Sequence, residues 1–271
     1  VMGPAAWKYD WNHDDYDQLA GSLAAGHIIE CGAQATGGNY SFFKEIPTFR
    51  NIGYPIAEIY EDGSFNITKH DDTGGLVSKG TVTAQLLYEI ASPQYLNPDV
   101  TGHFNTLEIS EVDRNKVHVK NVKGSPPPEK LKACINLAGG YKNGMELIVT
   151  GLDIEEKAKI FTDELFHSLG GVEQFDEVSV QLYRTDKPNP ISNEEAMAAL
   201  SINVKSKDPE KVGRIFSAKI VELALANYPG WTTQSDISQG APFISYWPSL
   251  VSRKHVQEVV HMGSKSFQIQ N

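Results

Sequence analysis

The sequence predicts a mixed α/β (α+β) protein. An irregular, glycine-rich α/β first half covers residues 1–140, and a ferredoxin-like β-α-β-β-α-β sandwich covers residues 141–271. Three observations predict this. Apolar residues recur at helical spacing in some segments and alternate in others. The punctuation changes near residue 140, where glycine-rich loops and the Pro126–Pro128 run give way to longer, regular segments. Beyond that point the strand and helix patterns follow the split βαβ order.

In the first half, Asp14 to about Gly32 reads as a helix with Tyr16, Leu19, Leu23 and His27 along one side. Ile56–Tyr60 and Phe65–Thr68 flank Asp62-Gly63, a hairpin signal. A helix is predicted over Leu76–Ala91, and Leu107–Val112 with Lys116–Asn121 suggest a second hairpin about Arg114-Asn115. Leu131–Leu137 reads as a buried strand carrying Cys134.

In the second half, Met145–Thr150 is a strand by its β-branched run. Asp153 with Glu156 three residues on predicts a capping box. The helix it opens has Ile154, Ala158, Phe161, Leu165 and Leu169 on one stripe and ends at Gly170-Gly171. Val178–Tyr183 alternates as a strand, and another passes through Leu200, Ile202 and Val204. Asp208-Pro209 supplies an N-cap and a proline at the first helical position. The predicted buried stripe of that helix is Val212, Ile215, Phe216, Val221 and Leu225, and the last strand falls near Phe243–Trp247.

The chain has 24 basic and 34 acidic residues among 271, a net charge of −10, and 40% hydrophobic residues. That is too apolar for a disordered chain. The negative balance and the lack of a basic run exclude nucleic acid as a main ligand. The two cysteines, Cys31 and Cys134, lie in no CxxC or Cys/His cluster, so neither a disulfide framework nor a zinc signature is expected. No apolar run approaches the roughly 20 residues of a membrane helix. These features predict a cytoplasmic protein. The start at Val1-Met2-Gly3-Pro4 reads as part of something longer.

Two Thr-Gly-Gly turns are the most informative local features. Thr36-Gly37-Gly38 follows the first helix, and Thr73-Gly74-Gly75 is expected to lead directly into the helix at Leu76. A glycine turn at a helix start frees backbone N–H groups to hold a phosphate or carboxylate, with Lys69 and Lys79 near enough in sequence to add charge. Alternatively, Thr73 caps the helix and the glycines only permit the turn. His27, Glu30 and Cys31 lie on adjoining turns of one helix. Glu30 or His27 is the expected acid/base group, with a Cys31 nucleophile as the lesser alternative. His70, Asp71 and Asp72, with Asp99 or His103, could hold a divalent ion, but consecutive aspartates before a helix more often serve capping and solvation, and no metal is expected.

The stretch His-Ile-Ile-Glu-Cys-Gly-Ala-Gln-Ala-Thr-Gly-Gly at 27–38 resembles the acyclic terpene utilisation (AtuA) family. So do Gly-Tyr-Pro-Ile-Ala-Glu at 53–58, Asp-Gly-Ser-Phe at 62–65, Thr-Gly-Gly-Leu-Val-Ser at 73–78 and Gly-Ser-Pro-Pro-Pro at 124–128. The likeness covers nearly the whole first half closely and the second more loosely. Family members carry a further N-terminal portion, so the resemblance implies a missing segment or a partner chain. It also implies a setting in the breakdown of citronellol- and geraniol-type terpenoids through branched acyl-CoA thioesters. In a eukaryote that setting allows the mitochondrial matrix.

Two functions fit these expectations. One is a lyase or hydratase acting on a hydroxyacyl- or enoyl-CoA, with CoA as part of the substrate and no further cofactor. The other is a non-catalytic binding or assembly subunit of an acyl-CoA carboxylase-type complex. A homo-oligomer is expected in either case.

Overall fold

The computed structural model describes residues 1–268 as a mixed helix-and-sheet protein in which every strand pairing of recorded register is antiparallel. Two compact units divide it. One comprises Val1–Leu131 with the tail from Leu250, and the other comprises Lys132–Ser249.

The first unit begins with helices α1 (Met2–Tyr9) and α2 (Tyr16–Glu30). The Asp62-Gly63 hairpin forms as predicted, joining β1 (Ile56–Ile59) to β2 (Phe65–Thr68) with Ile59 opposite Phe65. Helix α3 (Lys79–Leu86) is shorter than its apolar pattern suggests. Its N-cap is Ser78, in a capping box with Thr81, so the Thr73-Gly74-Gly75 turn ends well before the helix starts. Strands β3 (Gln94–Leu96), β4 (Thr101–His103), β5 (Glu108–Asp113), β6 (Lys116–Lys120) and β7 (Lys123–Ser125) complete the unit. They make two sheets, ordered β1-β2-β6-β5 and β3-β4-β7.

Helix α2 lies at the centre of this unit. The sequence shows one apolar stripe, but the helix is buried around most of its circumference through Leu19, Ala20, Gly21, Ser22, Ala24, Ala25, His27 and Ile28. Small residues allow that approach. A Cβ on Gly21 would collide with the backbone of Gly63 in the hairpin turn. The core against it includes Phe65, Ile67, Val82, Val117 and Val119.

The second unit contains β8 (Lys130–Thr150), α4 (Ile154–Ser168), β9 (Glu177–Arg184) and β10 (Met197–Ser206). They are followed by α5 (Pro209–Val212), α6 (Arg214–Ala226), β11 (Trp231–Thr233) and β12 (Ala241–Ser252). Its sheet runs β11-β8-β10-β9 with antiparallel neighbours. That is the 4-1-3-2 order of a ferredoxin-like sandwich.

Several local expectations are corrected here. The fourth strand is Trp231–Thr233, opposite Leu147–Val149, whereas Phe243–Trp247 lies in β12, which also pairs with β8. Asp153 has a left-handed backbone (φ 61°) and makes no side-chain cap bond, so the predicted capping box is absent. Asp208 does cap, accepting from Glu210 N–H at 3.0 Å, but the helix breaks at Gly213. The break shifts the buried stripe to Val212, Phe216, Ile220 and Leu223 and leaves Ile215, Val221 and Leu225 exposed. Cys134 is exposed as well. A final hairpin, β13 (Val259–Met262) with β14 (Lys265–Gln268), belongs to the tail.

Candidate active site

The two Thr-Gly-Gly turns interlock in the first unit through the segment Thr48–Gly53. Gly37 N–H donates to Gln34 O and Gly38 N–H to Ala33 O, closing the first turn on itself. Gly74 N–H donates to Asn51 O at 3.0 Å and Gly75 N–H to Thr48 O at 2.9 Å. Leu76 N–H reaches Thr36 O at 2.8 Å, and the buried Thr36 hydroxyl lies 2.5 Å from Gly53 O. All four glycine N–H groups are therefore engaged by carbonyls of the chain. The expectation that they cradle an anion is corrected: a donor already bound at 2.9–3.0 Å has nothing to offer a ligand.

Lys69 takes part in the same clasp. It is buried, and its ammonium donates to Thr73 O at 2.7 Å and His70 O at 3.2 Å. The Thr73 hydroxyl donates to His70 O at 2.6 Å. Lysine and threonine thus hold the loop as a unit, and the lysine does not face outward as a substrate charge.

His27, Glu30 and Cys31 remain close together at the C-terminal end of α2, with different partners from those the spacing suggested. Cys31 does not meet the imidazole. Its thiol donates to Glu30 Oε1 at 2.6 Å, and that bond holds the thiol above its ordinary pKa. A nucleophilic Cys31 is disfavoured accordingly. The His27 ring is buried against Tyr95 and Phe104, with centroids 5.0 and 5.9 Å away. Its Nε2 has no hydrogen-bond partner.

A cavity of about 390 Å³ opens here, lined by His27, Glu30, Ser22, Tyr95 and Glu89 among others. The Ser22 hydroxyl, like His27 Nε2, is buried and unpartnered. Buried polar atoms nearly always have partners, so two orphans lining one cavity mark a place where a ligand or water completes the bonding. The cavity size falls within the range of small-molecule sites.

Ser22, Tyr95 and Glu89 escaped the sequence reading. Ser22 looks like a helix surface residue until α2 is seen to be buried on most sides. Glu89 falls inside the helix expected over Leu76–Ala91, but that helix ends at Leu86 and leaves Glu89 in the turn after it. There it adopts φ +60°, a conformation that favours glycine or asparagine. The His70-Asp71-Asp72 loop does not form a metal cluster. Among the described residues, the group with mutually close ligand atoms is Glu30, Cys31 and Glu89, and His103 instead bonds Ser125 Oγ at 2.9 Å.

The site and fold together define an α+β protein whose first unit holds an acid- and imidazole-lined pocket and a tightly bonded glycine clasp. The chain belongs to the acyclic terpene utilisation family: the profile described as "Acyclic terpene utilisation family protein AtuA" matches residues 1–262, through both units. No curated protein and no solved structure matches it. No described helix is long and apolar enough to cross a membrane.

Proposed function

We propose that the chain carries the acid/base centre of a lyase or hydratase acting on a branched hydroxyacyl- or enoyl-CoA, in a cytoplasmic pathway of terpenoid breakdown. The observation that carries this reading is the cavity in which His27 Nε2 and the Ser22 hydroxyl are buried without partners beside the Glu30 carboxylate. Such chemistry needs one proton-transfer group and donors for a developing enolate oxygen. In the hydration direction, water bonds through oxygen to the β-carbon while its proton passes to Glu30. The enolate oxygen accepts from His27 or Ser22, and the α-carbon then takes the proton back from Glu30, which returns to the carboxylate. The cavity suits the acyl end, and the nucleotide of CoA would lie outside it. Loss of turnover in Glu30→Gln with an unchanged melting temperature supports this assignment, and unchanged turnover removes Glu30 as the base.

A second reading, a non-catalytic assembly subunit, is favoured by one feature of the second unit. Strands β8 and β12 expose Leu137, Ile244, Tyr246 and Trp247, each more than two-fifths accessible. Apolar strand surface of this kind invites a partner, whether a second copy of the chain, a separate N-terminal portion or a carboxylase-type subunit. Turnover by the isolated chain separates this reading from the first.

A further inference from the structure

We propose that Glu30, Cys31 and Glu89 bind a divalent transition-metal cation, zinc by the chemistry of the donors, at the edge of the His27 cavity. One ligand atom from each residue lies within 4.8 Å of the other two. Three donors sharing a zinc ion at about 2.0–2.3 Å sit roughly 3.5 Å apart, so small side-chain rotations close the set. Glu30 and Cys31 come from the end of α2, and Glu89 comes from the turn after α3. The ion would therefore tie two segments that are remote in sequence.

Three further observations point to a ligand at this place. Gln85 is 1% exposed, and its Oε1 is buried with no partner while its Nε2 donates at 3.3 Å to the carbonyl of His27, one helical turn before Cys31. That amide sits where α2 leads into Glu30 and Cys31, and its free oxygen is available as an acceptor for a metal-bound water. Among the described residues, neither Glu30 nor Glu89 has a lysine, arginine or histidine within ion-pair distance. Lastly, the left-handed backbone at Glu89 presents a carboxylate where a glycine would be more stable.

The donor set selects the ion. Calcium and magnesium take all-oxygen shells, whereas a thiolate with carboxylates suits zinc and its neighbours. Binding exchanges one proton for the ion: the S–H bond of Cys31 breaks, sulfur bonds the metal, and the proton leaves to solvent. No oxidant or reductant is needed. Three protein ligands leave a coordination position open. On the acid/base reading above, on which the catalytic consequence rests, that position would receive the thioester carbonyl. A metal-held Glu30 would no longer take the proton, so His27 would replace it as the proton-transfer group and Ser22 would be left as the donor to the enolate oxygen. Occupancy of the site does not depend on that reading.

The test uses the purified chain stripped with a chelator and titrated with Zn²⁺ by calorimetry and with Co²⁺ by absorption. One equivalent should bind, and the cobalt form should show a thiolate-to-metal charge-transfer band. Cys31→Ser should abolish the band, and Glu89→Gln should weaken zinc binding by about tenfold or more, ~1.4 kcal/mol. Circular dichroism establishes that each variant is folded. Because Glu89 is exposed, its variant keeps the test usable if Cys31→Ser fails to fold. Absence of the band, or zinc affinity unchanged in Glu89→Gln, overturns the site. Zinc binding without turnover sinks the proposed function alone, and turnover that is lost in Glu30→Gln while the wild type binds no zinc sinks the metal site alone.

Discussion

Replacing Gly75 by alanine places a methyl group in the middle of the glycine clasp, and the structure sets the size of the effect. Gly75 has φ +88°, and an added Cβ would collide with Thr36 O and lie 2.8 Å from Ile52 Cγ1. The left-handed backbone costs an L-residue about 1–2 kcal/mol. Overpacking against backbone that cannot retreat adds roughly 1–3 kcal/mol. A central figure of about 3 kcal/mol corresponds to a fall of ~6–12 °C in melting temperature for a unit of this size. Thermal unfolding followed by circular dichroism measures it. Gly3→Ala serves as the control, because a Cβ there meets nothing within 4 Å. If Gly75→Ala melts with the wild type and loses only ligand binding or turnover, the clasp reasoning is wrong and the turn is an anion cradle after all.

Other variants test the remaining parts. Thr36→Val removes the hydroxyl that bonds Gly53 O and Ala33 O inside the same clasp, and should destabilise by about 1–3 kcal/mol in denaturant unfolding. Glu30→Gln removes the largest influence holding the Cys31 thiol up, so iodoacetamide should alkylate Cys31 faster at a pH just below the ordinary thiol value; an unchanged rate would refute the Glu30–Cys31 contact. Glu89→Gly relieves a left-handed backbone, so its melting temperature should hold or rise even as zinc binding is lost. The carboxyl of Glu58 is held below its ordinary value, chiefly by Lys116 at 2.8 Å and also by Asn66. A depressed folded-state value means this stabilisation is present above the ordinary glutamate range and disappears as pH falls through the lower value. The stability gap between wild type and Lys116→Met should therefore close on acidification, and it should be small and salt-sensitive because the pair is partly exposed to solvent.

The ferredoxin-like half was largely legible in the sequence because its signals are periodic. Alternation through Leu200, Ile202 and Val204 and the helical stripe of Ile154, Ala158, Phe161 and Leu165 each name one buried face, and all seven are buried. What misled was phase. Gly213 breaks one helical pattern into two, so Leu225 turns to solvent while Leu223 is buried. The clasp was visible as a pair of unusual turns, but not its purpose. Whether a glycine N–H is free depends on carbonyls of Thr48 and Asn51, some two dozen residues away, and nothing local records that. The helix end at His27–Cys31 drew attention through its residue types alone. Its completion by Ser22, Gln85 and Glu89 depends on how α2 is enclosed, which is a tertiary property.

The most direct measurement is turnover of a branched enoyl- or hydroxyacyl-CoA by the wild type, Glu30→Gln and Gly75→Ala side by side, each with its melting curve. The account predicts that Glu30→Gln keeps its fold and loses turnover, while Gly75→Ala loses activity only in proportion to its lost stability. Full turnover in Glu30→Gln, with loss confined to a stably folded Gly75→Ala, would contradict it.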